Sequence, residues 1–219
     1  MNPLLLFLSS LSFLCGLEAG KEEDGKEGQR QISVASSMDL EWSTAFALRG
    51  EHKLAKNSLL TTLPKMTKEW KVSLEVNPTD YSFSWLASVL HLTIGGSSAK
   101  EGDRIPAIWI HKTRGVVIST ALNGGAAFTK TFKTVPPAGK WTRIEVSQSL
   151  IGSEYIYSIT IADKNVFTIE NTEPVELSNV KVFAGSPWNV ARKGSIRNLE
   201  IDIKVPAGSC VKAGKTQLH

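Results

Sequence analysis

The chain has 219 residues, with 25 Lys and Arg against 21 Asp and Glu, which gives a formal net charge of +4. This mild excess is far from the charge density of a dedicated nucleic-acid-binding protein, although it is compatible with attraction to sulfated glycans. The length is enough for one sizeable domain with a single core.

The first 37 residues are predicted to lie outside the folded domain. An apolar run from Leu4 to Leu17 has the length of a signal-peptide core and is too short to span a bilayer, and Ala19 offers a cleavage site. Residues 1–19 are therefore predicted to be a signal peptide, with a retained signal anchor as the alternative. Residues 20–37 form a charged leader that is predicted to be disordered. We expect a secreted, extracellular protein.

Residues 38–205 have the pattern of a single β-sandwich domain. Apolar and polar residues alternate over short segments separated by Gly, Pro and Asn turns, as is typical of strands with one buried face. The clearest strands are predicted at 69–76, 85–94, 105–111, 115–122, 126–135, 141–148, 155–162, 180–184 and 199–205. A first strand is predicted around Trp42 and Phe46, and the segment from Lys53 to Lys65 is predicted to be a loop. Residues 206–219 are predicted to be a flexible tail.

Two stretches carry a family resemblance. Gly194-Ser195-Ile196-Arg197-Asn198-Leu199-Glu200-Ile201 resembles the closing strand of laminin G-like domains, and Lys140–Val146 followed by Tyr155–Ile161 is similar to that family's central pair of strands. The resemblance covers roughly Met66 to Val205 and implies the concanavalin A-like jelly roll of laminin G modules, pentraxins, lectins and some glucanases. In that fold we expect an all-β, two-sheet antiparallel sandwich whose first strand lies beside the last. Ser195 stands where the family usually has a disulfide cysteine.

Glu200-Ile201-Asp202 resembles the start of the active-site strand of the jelly-roll glucanases. A retaining glycosidase needs two carboxylates about 5–5.5 Å apart, one as nucleophile and one as acid/base. Lys204 and Val205 occupy the positions where the second glutamate of that motif belongs. The chain is therefore predicted not to be an enzyme, and a degenerate glycoside hydrolase is kept as an alternative.

A ligand site is predicted around the loop that contains Trp188. Lys181, Arg192 and Lys193 surround this residue in the sequence, and an exposed indole beside cations suits sugar stacking and sulfate pairing. The alternative is a Trp that folds back to cap the core. His91 and His111 are isolated and are expected at the surface or the rim.

The resemblance also implies a rim calcium site, since laminin G-like domains and pentraxins often hold calcium there with oxygen ligands. Asp103 and Asn123 are the candidate ligands. In the alternative interpretation, Asp103 turns its loop or pairs with Arg104, and Asn123 supplies a type I′ turn. No cofactor other than calcium is indicated.

Signal cleavage would leave Cys210 as the only cysteine, so no internal disulfide is possible. Cys210 lies in the predicted tail, where it could link two chains into a homodimer or remain a free thiol. The sequence thus predicts a secreted, non-enzymatic module that binds an extracellular glycan or a matrix or cell-surface partner. A matrix protein that self-associates through Cys210 is the second alternative.

Overall fold

The computed structural model describes residues 39–82 and 86–209. The predicted signal peptide and leader, and Cys210 with the tail beyond it, lie outside these residues. Within the described part the chain forms thirteen strands, and no helix there is long and apolar enough to cross a membrane. The strands are β1 (Leu40–Leu48), β2 (His52–Lys53), β3 (Leu59–Met66), β4 (Trp70–Pro78), β5 (Ala87–Thr93), β6 (Ala107–His111), β7 (Gly115–Leu122), β8 (Gly125–Phe132), β9 (Thr142–Ile151), β10 (Glu154–Ile161), β11 (Lys164–Glu170), β12 (Leu177–Phe183) and β13 (Gly194–Pro206).

The strands form two antiparallel sheets. Sheet A has the order β1-β13-β4-β9-β10-β11, with β2 also paired to β13, and sheet B has the order β3-β12-β5-β6-β7-β8. This architecture confirms the predicted all-β, two-sheet sandwich and fits the concanavalin A-like fold that the resemblance implies. The first strand lies beside the last, as expected, with Leu40 opposite Pro206 and Leu48 opposite Leu199.

The alternation of β13 explains how the two sheets are held together. Leu199, Ile201 and Ile203 are buried in the core between the sheets, whereas Glu200 and Lys204 are partly exposed on the outer face of sheet A. Since one face of the strand is apolar and the other polar, only one register of β13 buries the apolar set.

Two β-bulges change which face a side chain occupies. In β1 the register shifts between Thr44 and Phe46, so Phe46 is buried while Trp42 is 43% exposed on the outer face. In β13 the register shifts after Arg197, where Asn198 has a φ of 50°, and Ile196 and Leu199 both enter the core although they are three residues apart. A bulge inserts one residue and reverses the alternation beyond it.

The prediction of a loop from Lys53 to Lys65 is wrong. Residues of this segment form β2 and most of β3, which pairs with β12 through Leu63 opposite Val180. Pro64 lies inside β3, but β3 is an edge strand, where a residue without an N–H is tolerated on the unpaired side. The proline that suggested a loop is therefore compatible with this strand.

The register assigns every loop to one of two ends of the sandwich. We call the end that contains Pro78, Phe183 and Gly194 the upper end, and the opposite end the lower end. At the upper end the two sheets are tied by backbone hydrogen bonds from Leu54 N to Gly194 O (3.0 Å) and from Ala55 N to Ala184 O (3.2 Å).

We expect Ile201→Ala to lower the free energy of unfolding by about 2–5 kcal/mol, because it leaves a cavity at a fully buried position. Lys164→Ala, on the exposed edge strand β11, should change it by no more than about 0.5 kcal/mol. Urea unfolding followed by Trp fluorescence measures both. Equal stability of the two variants would contradict the placement of β13 in the core.

Candidate functional site

The loop between β12 and β13, residues 184–193, is built on a glycine. Gly185 has a φ of +115°, and a Cβ at this position would lie 2.3 Å from the carbonyl oxygen of Ala55. Gly185 N donates to Val89 O at 2.9 Å, which fastens the loop to β5 of sheet B. Because only glycine combines this φ with this close approach, the loop leaves β12 in one direction.

Trp188 is held in an exposed position by this loop. The buried hydroxyl of Ser186 accepts hydrogen bonds from the backbone N–H groups of Trp188 (3.2 Å) and Asn189 (3.4 Å). The Trp188 ring packs edge-on against His91, with ring centroids 5.1 Å apart, while 40% of the residue is exposed. One side of the indole is therefore supported by protein and part of it is open to solvent.

Arg192 differs from the prediction that it would face a ligand, because it is buried. Its guanidinium donates to Ile110 O at 2.6 Å and lies over the Tyr81 ring at 5.1 Å, and burial lowers its pKa. Its backbone N–H also donates to Ser88 O at 2.8 Å. Arg192 therefore connects the Trp188 loop to β5 and β6 from beneath.

The two lysines of the predicted site are exposed and lie on different sides of the loop. Lys181 lies on the outer face of β12, two residues before Phe183, which is the cross-strand neighbour of His91. Lys193 is at the upper end, with Nζ 3.3 Å from the Asp80 carboxylate. It lines a cleft of about 450 Å³ whose other walls are Lys53, Leu54, Thr79, Ala191, Arg192, Gly194 and Ser195. The structure thus brings Lys181 to the face that carries Trp188, and Lys193 to the tip beside it.

His91 is the central residue beneath Trp188, and the expectation of a surface or rim position is wrong. It is fully buried, its Nε2 donates to Asp103 O at 2.8 Å, and Nδ1 has no hydrogen-bond partner in the described part of the chain. Its ring also packs edge-on against Trp109 at 6.0 Å. Burial lowers the pKa of His91, so the neutral imidazole is favoured in the folded protein.

Asp103 organises its own loop. Its Oδ2 accepts hydrogen bonds from the backbone N–H groups of Ala99 (2.7 Å) and Lys100 (2.9 Å), and the side chain is buried. A Cβ at Gly96 would lie 2.1 Å from Asp103 Oδ1, so glycine is required there. The neighbouring Arg104 donates to Ser97 O at 3.0 Å and lies over the Trp109 ring.

Asn123 links two turns at the lower end. It has a φ of 51° and is followed by Gly124 at 70°, the conformation of a type I′ hairpin turn. Its Oδ1 accepts from Thr172 N at 2.7 Å, and its own N–H donates to Asn171 Oδ1 at 2.9 Å. These partners differ from those of Asp103. Among the described residues, no group of three or more His, Cys, Asp or Glu could hold a metal ion.

Sequence reasoning missed a chain of side-chain amides that continues from Asn123 into the sandwich. Asn171 Nδ2 donates to Gln148 Oε1 at 2.7 Å, and Gln148 Nε2 donates to Lys68 O at 2.6 Å. Both side chains are buried. The only signal in the sequence is Gln148 at an inward-facing position of an otherwise apolar strand.

Glu200 and Asp202 lie on the outer face of sheet A in a groove of about 420 Å³. Arg49 is 3.1 Å from Glu200, Lys71 is 3.3 Å from Asp202, and the Thr44 hydroxyl donates to Asp202 at 2.8 Å. Each carboxylate is therefore paired with a cation. The groove is lined by Arg49, Lys71, Ser73, Arg143, Asn198, Glu200 and Asp202.

A scan of the sequence against protein-family models gives no match, and neither does a search of curated protein sequences. Among solved structures, a heptameric SAP-like pentraxin from Limulus polyphemus is similar, with a TM-score of 0.44 and 11% identity over 75% of this chain and 76% of that one. The CBM40 module of a Ruminococcus gnavus sialidase bound to sialyllactose gives 0.48 and 12% over 69% and 90%. The carbohydrate-binding module CBM66 from Bacillus subtilis gives 0.43 and 13% over 73% and 94%. At these values no ligand is carried over to this chain.

The burial of neutral His91 predicts a pH-dependent stability. The folded-state pKa lies below the ordinary value of 6.5, so the unfolded chain takes up the proton first as the pH falls. The stabilisation should be complete above about pH 6.5 and should decrease below it, by at most about 1.4 kcal/mol per pH unit.

Urea unfolding between pH 7 and pH 5 measures this slope. His91→Phe retains a ring between Trp109 and Trp188 but cannot be protonated, so its slope should be smaller than that of the wild-type protein. His111→Asn, at the β6–β7 turn, serves as the control and should keep the wild-type slope. An unchanged slope in His91→Phe would contradict the prediction.

Proposed function

We propose that this chain is a secreted, non-enzymatic recognition module that binds an extracellular glycan or a glycan-bearing matrix or cell-surface partner. The observation that supports this proposal is Trp188, an indole that is 40% exposed and fixed by Ser186 and His91. Soluble domains seldom leave a large aromatic ring exposed on a rigid support unless it contacts a ligand.

The geometry of the loop suits a sugar ligand. The apolar face of a pyranose stacks on an aromatic ring, and a ring that is already immobile loses little conformational entropy on binding. Lys181, on the same face, can donate to hydroxyl or acidic groups of the sugar. Arg192 takes part indirectly, because its contact with Ile110 holds the loop in position.

The proposal of a non-enzymatic role rests on the outer face of sheet A. Glu200 and Asp202 are bound by Arg49, Lys71 and Thr44, and the next outward-facing residue is Lys204. A glycosidase needs one carboxylic acid that retains its proton as the general acid. Carboxylates paired with cations favour the ionised form instead.

We expect Trp188→Ala to weaken binding about tenfold or more, since one well-placed aromatic residue often dominates a binding site. A glycan array identifies a ligand, and calorimetric titration with that glycan measures the loss. Trp42→Ala is the matched control, because Trp42 is 43% exposed but lies on the outer face of sheet A. Equal losses in both variants, or a blank array, would contradict the proposed site or function.

Calcium is proposed not to be required for this binding. The Asp103 carboxylate is already engaged by two backbone N–H groups, which supports a structural role over cation ligation. The same titration in EDTA should therefore give an unchanged affinity. If EDTA abolishes binding, Asp103→Ala and Asn123→Ala become the variants that identify the calcium ligands.

The prediction of a Cys210-linked homodimer stays open to a direct test. Electrophoresis of the secreted protein without reducing agent should show a dimer band, and Cys210→Ser should remove it. A monomer in both cases would indicate that Cys210 is a free tail thiol.

A further inference from the structure

The two ends of the sandwich carry opposite charge. Over the described residues, the upper-end loops with β2 contain nine Lys and Arg against three Asp and Glu, whereas the lower-end loops with Asp39 contain three against six. The upper-end cations are Arg49, Lys53, Lys56, Lys112, Arg114, Lys133, Lys140, Arg192 and Lys193, and all except Arg192 are exposed. The net charge of +4 conceals this separation.

Aliphatic side chains are exposed in the middle of the basic end. Val190 is 52% exposed, Leu59 49% and Leu86 41%. Backbone hydrogen bonds join their segments, because Ser88 N donates to Val190 O at 2.8 Å and Asn57 N donates to Ser186 O at 3.1 Å. We call Leu59, Leu86 and Val190 the aliphatic tip.

We propose that the upper end docks on an anionic phospholipid membrane, with the aliphatic tip entering the headgroup region and the surrounding lysines and arginines contacting lipid phosphates. Apolar side chains that project from a basic surface bind the membrane interface through both burial and charge attraction. This inference goes beyond glycan recognition and does not depend on it. Trp188, beside the tip, has the amphipathic ring that is typical of the interfacial layer.

The aliphatic tip favours a membrane over a soluble polyanion as the partner. A sulfated chain offers charges and hydroxyl groups that the cations could bind, but it gives Val190, Leu59 and Leu86 nothing apolar to contact. Lipid offers both components. The lower end also exposes apolar residues, with Ile151 at 64% and Leu150 at 41%, but the acidic loops around them would be repelled by an anionic surface.

This difference between the ends provides a matched pair of variants. Val190→Asp places a carboxylate in the aliphatic tip, and Ile151→Asp places one at an even more exposed site of the lower end. Neither side chain belongs to the core, so both variants should fold, which thermal unfolding verifies. Lys112→Glu/Arg114→Glu tests the basic component separately.

The experiment is co-sedimentation of the purified protein with vesicles of phosphatidylcholine alone or with 30% phosphatidylserine. We expect binding only to the phosphatidylserine vesicles, a decrease of at least about tenfold in Val190→Asp and in the double charge reversal, and no change in Ile151→Asp. Absence of wild-type binding, or equal losses in Val190→Asp and Ile151→Asp, would overturn the proposal.

Two further arms separate the membrane from the alternatives. Retention on heparin that is lost in the charge reversal, together with vesicle binding that is unchanged in Val190→Asp, would assign the basic end to a sulfated glycan and overturn membrane docking. Glycan titration in lipid-free buffer should be unaffected by Val190→Asp but weakened by Trp188→Ala. The proposed glycan function can therefore fail while membrane docking is retained, and the reverse also holds.

Discussion

The pairing of β13 between β1 and β4 is the constraint on which the rest of the molecule depends. This strand extends along sheet A from the upper to the lower end, and its apolar face, with Leu199, Ile201 and Ile203, packs against sheet B. Both edges of β13 are hydrogen bonded, and a shift of one residue would turn the carboxylates of Glu200 and Asp202 inward. The register of β13 therefore determines where the preceding loop begins its approach to the strand.

The position of Trp188 follows from that register. The loop that carries it leaves β12 through Gly185 and enters β13 at Gly194, so both of its ends are fixed by paired strands. Arg192 and Ser186 then fill the space beneath the loop with hydrogen bonds to Ile110 O and to the loop backbone. A binding residue on such a loop has the rigidity of the sheets although it lies outside them.

The fold class could be predicted from the sequence because alternation and turn residues are local signals. The face of Trp42 could not be predicted, since it depends on the bulge near Thr44, and β3 was obscured by Pro64, which only an edge strand accepts. At the candidate site, the exposed position of Trp188 agrees with one of the two interpretations of the sequence. The burial of His91 and Arg192 was missed because the loop that covers them is distant in sequence and adjacent only in the fold.

The charge separation has the same origin in the fold. Lysines and arginines from six loops and β2 meet at the upper end because the register of the two sheets returns those segments there. Along the sequence these residues are dispersed between Arg49 and Lys193, and the overall charge is only +4. An end that is basic, carries an aliphatic tip and holds a fixed indole presents one surface to whatever it meets. A membrane bound at that surface would orient the module with its acidic lower end away from the lipid.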